Sequence, residues 1–269
     1  MSEEQERIIS WLNQAGPLAV AVSGGVDSMT LAVLAAHTCP ETILFHAVSP
    51  AVPAAATSRV RAFARRLGWQ LVVIDAGEFA DQDYLNNPVN RCFYCKRSLY
   101  CRIAAKTSLP IVSGTNTDDL SDFRPGLQAA ANQGVRHPWV ESACDKAAIR
   151  RIAAERGLGD LAELPASPCL SSRVETGTPI DGDLLPVVDE VESTIREAFA
   201  ADTARCRVRS TGIVIELDQG TLSRLSSRRR RALLEYTRRC FARAGLRAPV
   251  SMTIYRMGSA FIDKEKAHG

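Results

Sequence analysis

Apolar positions along the chain fall into two regimes. Leu18-Ala19-Val20-Ala21-Val22 is a continuous apolar run of buried-strand length, and Ile43–Val48, Gln70–Asp75 and Pro110–Ser113 read as three more strands. Between them the spacing turns helical. Glu3 to Asn13 carries Ile8, Ile9, Trp11 and Leu12 and ends before Gly16-Pro17; Met29–Ala36, Ala55–Leu67 and Tyr94–Lys106 follow. Lys146–Arg156 has Asp145 as its N-cap, Gly157 as its stop, and Ile149, Ile152 and Ala153 on one face. Buried strands alternating with helices predict an α/β fold with a doubly wound parallel sheet. After about residue 175 the pattern changes. Asp183–Ala200 reads as a helix, Arg205–Arg209 and Ile213–Leu217 as strands, Thr221–Ala244 as one long basic helix, and Ser251–Tyr255 as a last strand. The expected organisation is a sheet domain over 1–175 and a smaller α+β domain over 176–269. Gly177-Thr178-Pro179 and Asp181-Gly182-Asp183 mark the boundary, with no internal repeat or low-complexity linker.

Composition changes this picture little. With 269 residues, 46% hydrophobic and 23% charged, the chain is long enough for one large domain or two modest ones and is not disordered in character. A net charge of +3 does not by itself call for a polyanionic partner. The opening MSEEQERIIS is acidic, without a basic stretch leading into an apolar one, and no apolar run approaches a membrane span. A soluble, cytoplasmic protein is expected.

Candidate chemistry begins at Ser23-Gly24-Gly25-Val26-Asp27-Ser28, between the first buried strand and an apolar helix. Strand, glycine-rich turn and helix start together present backbone N–H groups to an anion. Gly24 and Gly25 permit close approach of phosphate oxygens, Ser23 and Ser28 supply hydroxyls, and Asp27 can hold Mg²⁺ against phosphates. Neither GxxxxGK[ST] nor GxGxxG occurs here. The dense charged segment Asp118, Asp119, Asp122 and Arg124 follows a strand end. Arg124 could steady a phosphate and an aspartate could assist Mg²⁺, or the segment is simply a solvated loop.

In a chain of cytoplasmic character the eight cysteines are not expected to form a disulfide framework, and only the clustered ones point to metal binding or catalysis. Cys92 and Cys95 form a C-x-x-C pair, which could hold structural zinc with Cys101 and Cys144. Cys169 follows a proline and precedes Ser-Ser-Arg, an unusual setting for a core thiol. Cys39, Cys206 and Cys240 read as core or surface side chains, and the four histidines (37, 46, 137 and 268) form no ligand-like cluster.

The segment SGGVDS resembles the signature of the PP-loop ATP pyrophosphatases, with the fold of the adenine nucleotide alpha hydrolase-like type. These enzymes use ATP to adenylate a carboxylate or carbonyl oxygen and expel pyrophosphate. Three further blocks narrow the match: Asn87 to Lys96, with Arg91-Cys92-Phe93-Tyr94-Cys95; Ser113 to Gly126, opening Gly114-Thr115-Asn116-Thr117-Asp118-Asp119; and Pro165 to Arg173. In this order they resemble the LarE family of ATP-dependent sulfur transferases, over about residues 18 to 180, and Arg207-Val208-Arg209 extends the likeness. The resemblance implies ATP and Mg²⁺ at Ser23, Gly24, Gly25, Asp27, Ser28, Gly114, Thr115, Asp119 and Arg124. It implies adenylation and sulfur insertion at a carboxylate of a pyridinium biscarboxylate mononucleotide, on the way to the nickel-pincer cofactor of lactate racemase. Cys92, Cys95 and Cys169 then match the members thought to hold a 4Fe-4S cluster, and in single-cysteine members the residue matching Cys169 is itself consumed. Three ligands on four irons leave one iron able to carry an extra sulfide. Cys169, Asp27 and Arg173 are the catalytic candidates. Arg207, Arg209 and Glu192 are candidates for the substrate site, although an Arg-Val-Arg alternation could equally be one exposed strand face. Family members form homo-oligomers. The chain departs from the pattern at Leu164, where lysine is usual, at Val174-Glu175-Thr176-Gly177, and at Ala143-Cys144-Asp145.

Arg224, Arg228 to Arg231, Arg238, Arg239, Arg243 and Arg247 make the C-terminal region basic, which suits a tRNA thiolase. Leu233, Leu234, Thr237, Cys240 and Phe241 nevertheless give this helix an apolar face, and no aromatic stacking platform accompanies it. A small-molecule nucleotide substrate is favoured over nucleic acid, and the sulfur source is left open. A third reading is a nucleotide-binding iron–sulfur protein without turnover.

Overall fold

The computed structural model describes residues 2–120 and 124–260; Asp122 and His268, named above, lie outside them. In chain order the elements are α1 (Glu3–Ala15), β1 (Ala19–Ala21), α2 (Val26–Thr38), β2 (Ile43–Val48), α3 (Ala54–Leu67), β3 (Gln70–Asp75), α4 (Gln82–Leu85), α5 (Arg91–Ala104), β4 (Ile111–Ser113), α6 (Pro125–Asn132), α7 (Pro138–Glu141), α8 (Lys146–Glu155), α9 (Gly159–Ala162), α10 (Leu185–Phe199), β5 (Ala204–Arg209), β6 (Gly212–Leu217), α11 (Gln219–Arg224), α12 (Ser227–Arg243) and β7 (Val250–Ile254). They form two compact units. One comprises Met1–Asp81 with Asn90–Ser167, the other Gln82–Val89 with Pro168–Gly269.

The first unit is α/β. Its four strands are all parallel, in the order β3-β2-β1-β4. β1 is central and buried on both faces, which is why its sequence is uniformly apolar rather than alternating. The largest core cluster joins α1 through Ile8 and Leu12, α2 through Met29, Leu31 and Leu34, and α8 through Ile149 and Ile152, with Val20 of β1 beneath them. A second cluster joins Ala19, Ala21 and Phe45 to Tyr100 and Ile103 of α5. Leu164 packs against the first cluster, so an apolar residue at the position where lysine is usual extends the core. The Asp145 carboxylate accepts the Ala148 N–H at 2.7 Å and caps α8 as its sequence predicts.

The second unit carries a three-stranded mixed sheet, β5-β6-β7, with β5 and β6 antiparallel and β6 and β7 parallel. Asn87, fully buried, ties its N-terminal piece to the later chain by donating to the Glu175 and Thr178 carbonyls, each at 2.9 Å. The single long basic helix expected over Thr221–Ala244 is two helices. Ser226 interrupts it by accepting the Arg229 N–H at 3.3 Å as the N-cap of α12. Leu233, Thr237, Cys240 and Phe241 form the buried stripe of α12. No helix among the described residues is long and apolar enough to cross a membrane.

Candidate active site

The strand order places the site. The chain leaves β1 for β2 and β3 on one side, then returns to add β4 on the other. The loops after β1 and β4 therefore flank the switch point at the carboxyl ends of the strands, where α/β sheets bind ligands. Gly24 (φ +85°) lets the first loop turn under α3; a Cβ there would lie 2.9 Å from the Ala56 carbonyl oxygen. Gly114 brings the second loop onto the start of α2. A Cβ at 114 would sit 2.7 Å from the Ser28 nitrogen and 2.8 Å from its Cα, so only glycine fits.

Around this crevice the loop is organised by its own hydroxyls. Ser28 Oγ accepts the Ser23 N–H at 3.1 Å, lies 3.0 Å from Ser23 Oγ and donates to the Gly25 carbonyl at 3.2 Å. Gly25 occupies the N-cap of α2 and offers no side-chain acceptor, which leaves the helix start open to an anion. Asp27 projects from this first turn. Its Oδ2 lies 2.5 Å from Lys146 Nζ, while its buried Oδ1 has no hydrogen-bond partner among the described residues. Burial raises the Asp27 carboxyl above the ordinary range, and the Lys146 ammonium partly offsets that. The Trp139 indole, fully buried, donates to the Asp27 carbonyl at 3.1 Å and fixes the helix start from behind.

The second loop is similarly braced. Ser113 Oγ lies 3.0 Å from Thr115 Oγ1 and 2.9 Å from His137 Nδ1. Asp119 accepts the Asn116 N–H through Oδ2 at 3.1 Å and pairs with Arg124 through Oδ1 at 2.9 Å. Asp118 accepts the Lys146 N–H at 3.3 Å. Ser23, Gly24, Gly25, Asp27, Ser28, Gly114, Thr115 and Asp119 thus come together, with Arg124 attached through Asp119. Lys146, His137 and Trp139 join them without having been singled out in the sequence. On the far side, His46 Nδ1 lies 2.8 Å from the Val22 carbonyl and Nε2 2.9 Å from Thr57 Oγ1. A carbonyl can only accept, so Nδ1 carries the proton and the hydroxyl donates to Nε2. Burial lowers the pKa of this imidazole and keeps it neutral.

The cysteines fall in both units. Cys92 and Cys95 lie in the first turns of α5, which begins at Arg91 rather than near Tyr94, so the pair sits on a helix at i and i+3 instead of in a loop. Cys92 is exposed and Cys95 half-buried. Cys169, exposed, belongs to the second unit and precedes a 3₁₀ turn, Leu170–Arg173. Burial pushes the Cys144 thiol up to about 11, an unfavourable state for a metal-binding thiolate, while Cys101 is exposed. Within either unit, no three His, Cys, Asp or Glu side chains among the described residues are gathered as a metal cage.

In the second unit the arginines are paired. Arg173, 2% exposed, grips Glu192, 1% exposed, through two hydrogen bonds of 2.9 Å, and Glu192 also accepts the Cys206 N–H. The remaining reach of Arg173 goes to the Pro168 and Cys169 carbonyls at 2.8 and 3.2 Å, so it shapes the loop bearing Cys169. Arg207 and Arg209 share a different acid: Glu216, at 2.9 and 2.8 Å. Ser259 Oγ also donates to that carboxylate. Glu192 is therefore the partner of Arg173 and Arg196, whereas Glu216 serves the Arg-Val-Arg strand.

A four-stranded parallel sheet whose switch point carries a glycine-turned loop running into an uncapped helix start defines a PP-loop-like α/β protein. No family model matches the chain. It is 32% identical over 201 residues to the uncharacterized protein slr1717 of Synechocystis sp., covering 73% of this chain and 75% of that one. It is 27% identical over 204 residues to the uncharacterized protein MJ0830 of Methanocaldococcus jannaschii, covering 74% and 77%. Over 231 residues it is 26% identical to the pyridinium-3,5-bisthiocarboxylic acid mononucleotide synthase of Lactiplantibacillus plantarum, covering 82% of each chain. The chain belongs to the LarE family.

Proposed function

We propose that the protein is an ATP-dependent sulfurtransferase that converts a carboxylate of a pyridinium biscarboxylate mononucleotide to a thiocarboxylate, in nickel-pincer cofactor biosynthesis. The observation that carries this reading is the Asp27 carboxylate at the open N-terminus of α2, held by Lys146 on one oxygen and, among the described residues, unpartnered on the other. A buried, unpaired carboxylate oxygen beside an uncapped helix start is a fitting ligand for Mg²⁺ carried on the phosphates of ATP. Ser23, Gly24, Gly25 and Ser28 cradle the phosphates. Gly114 and Thr115 close the other wall, and Asp119 with Arg124 is in position to exchange its internal ion pair for contacts to ATP or its metal.

The substrate carboxylate attacks the α-phosphorus. The bond to the bridging α–β oxygen breaks, and its electron pair leaves with pyrophosphate. A sulfur nucleophile then adds to the acyl-adenylate carbon and AMP departs. Cys92, Cys95 and Cys169 are assigned to a 4Fe-4S cluster, which when bound would supply an activated sulfide. The donor set suits it: three thiols, two at helical i and i+3 spacing and none sealed in a core. Arg173 acts as a positioning residue, because its guanidinium holds the Cys169 backbone while Glu192 neutralises it. Of the arginines proposed for the substrate phosphate, Arg209 is the more open, with its side chain 25% exposed against 7% for Arg207.

Pyrophosphate and AMP formation that depends on the pyridinium substrate tests the assignment. ATP turnover indifferent to that substrate would overturn it. The exposed arginines of α12 favour a second reading, a tRNA thiolase, which requires tight tRNA binding that falls steeply with salt.

A further inference from the structure

Arg59, on the second turn of α3, reaches the phosphate loop without having been marked by any motif. Its Nη1 donates to the Gly24 carbonyl at 2.7 Å, and the same stretch of α3 supplies Ala56 beneath Gly24 and Thr57 to His46. The guanidinium is therefore fixed against the loop whose N–H groups face the nucleotide. It is half-buried, and no carboxylate pairs with it among the described residues. Burial alone lowers its pKa, with no acidic neighbour contributing. The contrast with the second unit is plain, since there Arg173, Arg207 and Arg209 each meet a glutamate. A guanidinium partly withdrawn from water and left with a single carbonyl partner keeps four N–H donors for another acceptor.

We infer that Arg59 binds the pyrophosphate portion of ATP, as a cation that no carboxylate among the described residues neutralises. The inference rests on the ATP-dependent reading above and extends it to the leaving group. When the α–β bridging bond breaks, negative charge gathers on the departing pyrophosphate, and a planar, forked donor matches two of its oxygens. The Gly24 carbonyl would keep one end of the guanidinium in place, so that little side-chain freedom is lost on binding.

The test uses the full-length chain with Mg²⁺ and three probes, ATP, inorganic pyrophosphate and AMP, titrated calorimetrically into wild type, Arg59→Met and Arg59→Lys. Charge-assisted contacts of this kind predict a loss of about 10- to 100-fold for ATP and pyrophosphate in Arg59→Met, with AMP within about twofold. Arg59→Lys, which keeps the charge, recovers part of the loss. The gap between wild type and Arg59→Met also narrows as salt rises, because the contact is electrostatic. Wild-type pyrophosphate affinity in Arg59→Met overturns the inference alone. Equal weakening of AMP, ATP and pyrophosphate, or a salt-independent gap, reduces Arg59 to a brace for Gly24 and also overturns it. If wild type binds neither ATP nor pyrophosphate, the functional reading itself falls and takes the inference with it.

Discussion

Replacing Gly114 with alanine probes the junction on which the whole crevice depends. The added methyl would meet the Ser28 nitrogen at 2.7 Å, the Ser28 Cα at 2.8 Å and the Asp27 carbonyl carbon at 3.0 Å, all of them backbone. No flexible side chain can give way. Restoring an ordinary contact of 3.4 Å from 2.7 Å requires about 0.7 Å of movement between the β4 loop and the first turn of α2. That movement displaces Asp27 and Ser28, the residues proposed to meet ATP. Overpacking of this kind costs about 1–3 kcal/mol, which lowers the midpoint of thermal unfolding by several degrees. A displacement approaching 1 Å at positioning groups lowers turnover on the order of 100-fold. Gly159→Ala is the matched control, because a Cβ at 159 meets nothing within 4 Å. Thermal unfolding, ATP titration and pyrophosphate release should separate the two variants. Gly114→Ala with wild-type melting and ATP affinity would refute the close approach of the two loops.

Further outcomes follow from the charged groups. Lys146→Met removes the partner that partly offsets the burial-raised pKa of Asp27, so that pKa rises further. Mg²⁺-dependent ATP binding, which needs the carboxylate ionised, is then lost at a higher pH on acidification than in wild type; titration between about pH 5 and 8 reads this shift. Glu192→Ala strands the buried Arg173 and costs about 3–5 kcal/mol in denaturant unfolding. The same pair makes stability acid-sensitive. Burial raises the Glu192 pKa, but the bonds and charge of Arg173 outweigh it and hold the pKa below its usual value. The contribution of the pair is therefore full above the unfolded pKa and is lost as pH falls through the depressed one. Protein prepared without oxygen should carry iron and acid-labile sulfide that Cys92→Ser abolishes. Zinc, or no metal in the wild type, would remove the cluster; Cys169 is then either a consumed donor, detectable as dehydroalanine after turnover, or an ordinary thiol.

Much of the first unit was legible because its signals are local. β2 and β3 lie at the residues their apolar runs indicate, and Asp145 caps α8 as its position before an amphipathic stretch requires. The glycine-serine turn lies between β1 and α2, where the strand–loop–helix pattern puts it. What escaped the sequence is the pairing across distance. Lys146 reaches Asp27 across 119 positions, and Arg59 reaches Gly24 across 35; both look like ordinary solvated helix residues until the sheet order is known. The Arg-Val-Arg partner was recoverable. A hairpin closed at Ser210-Thr211 places Glu216 opposite Arg205 and diagonal to Arg207, whereas Glu192 lies on a helix whose packing partner no local pattern reveals. The break at Ser226 was missed because arginine continues on both sides of it, and a capping serine has no periodicity to betray it.

Sulfur insertion itself is the most direct measurement. Oxygen-free protein is incubated with Mg²⁺-ATP, a sulfide source and pyridinium biscarboxylate mononucleotide, and the products are weighed by mass spectrometry. The reading proposed here predicts exchange of a carboxylate oxygen for sulfur, with one AMP and one pyrophosphate formed per sulfur transferred. AMP without a sulfur-bearing product, or no AMP at all, would contradict it.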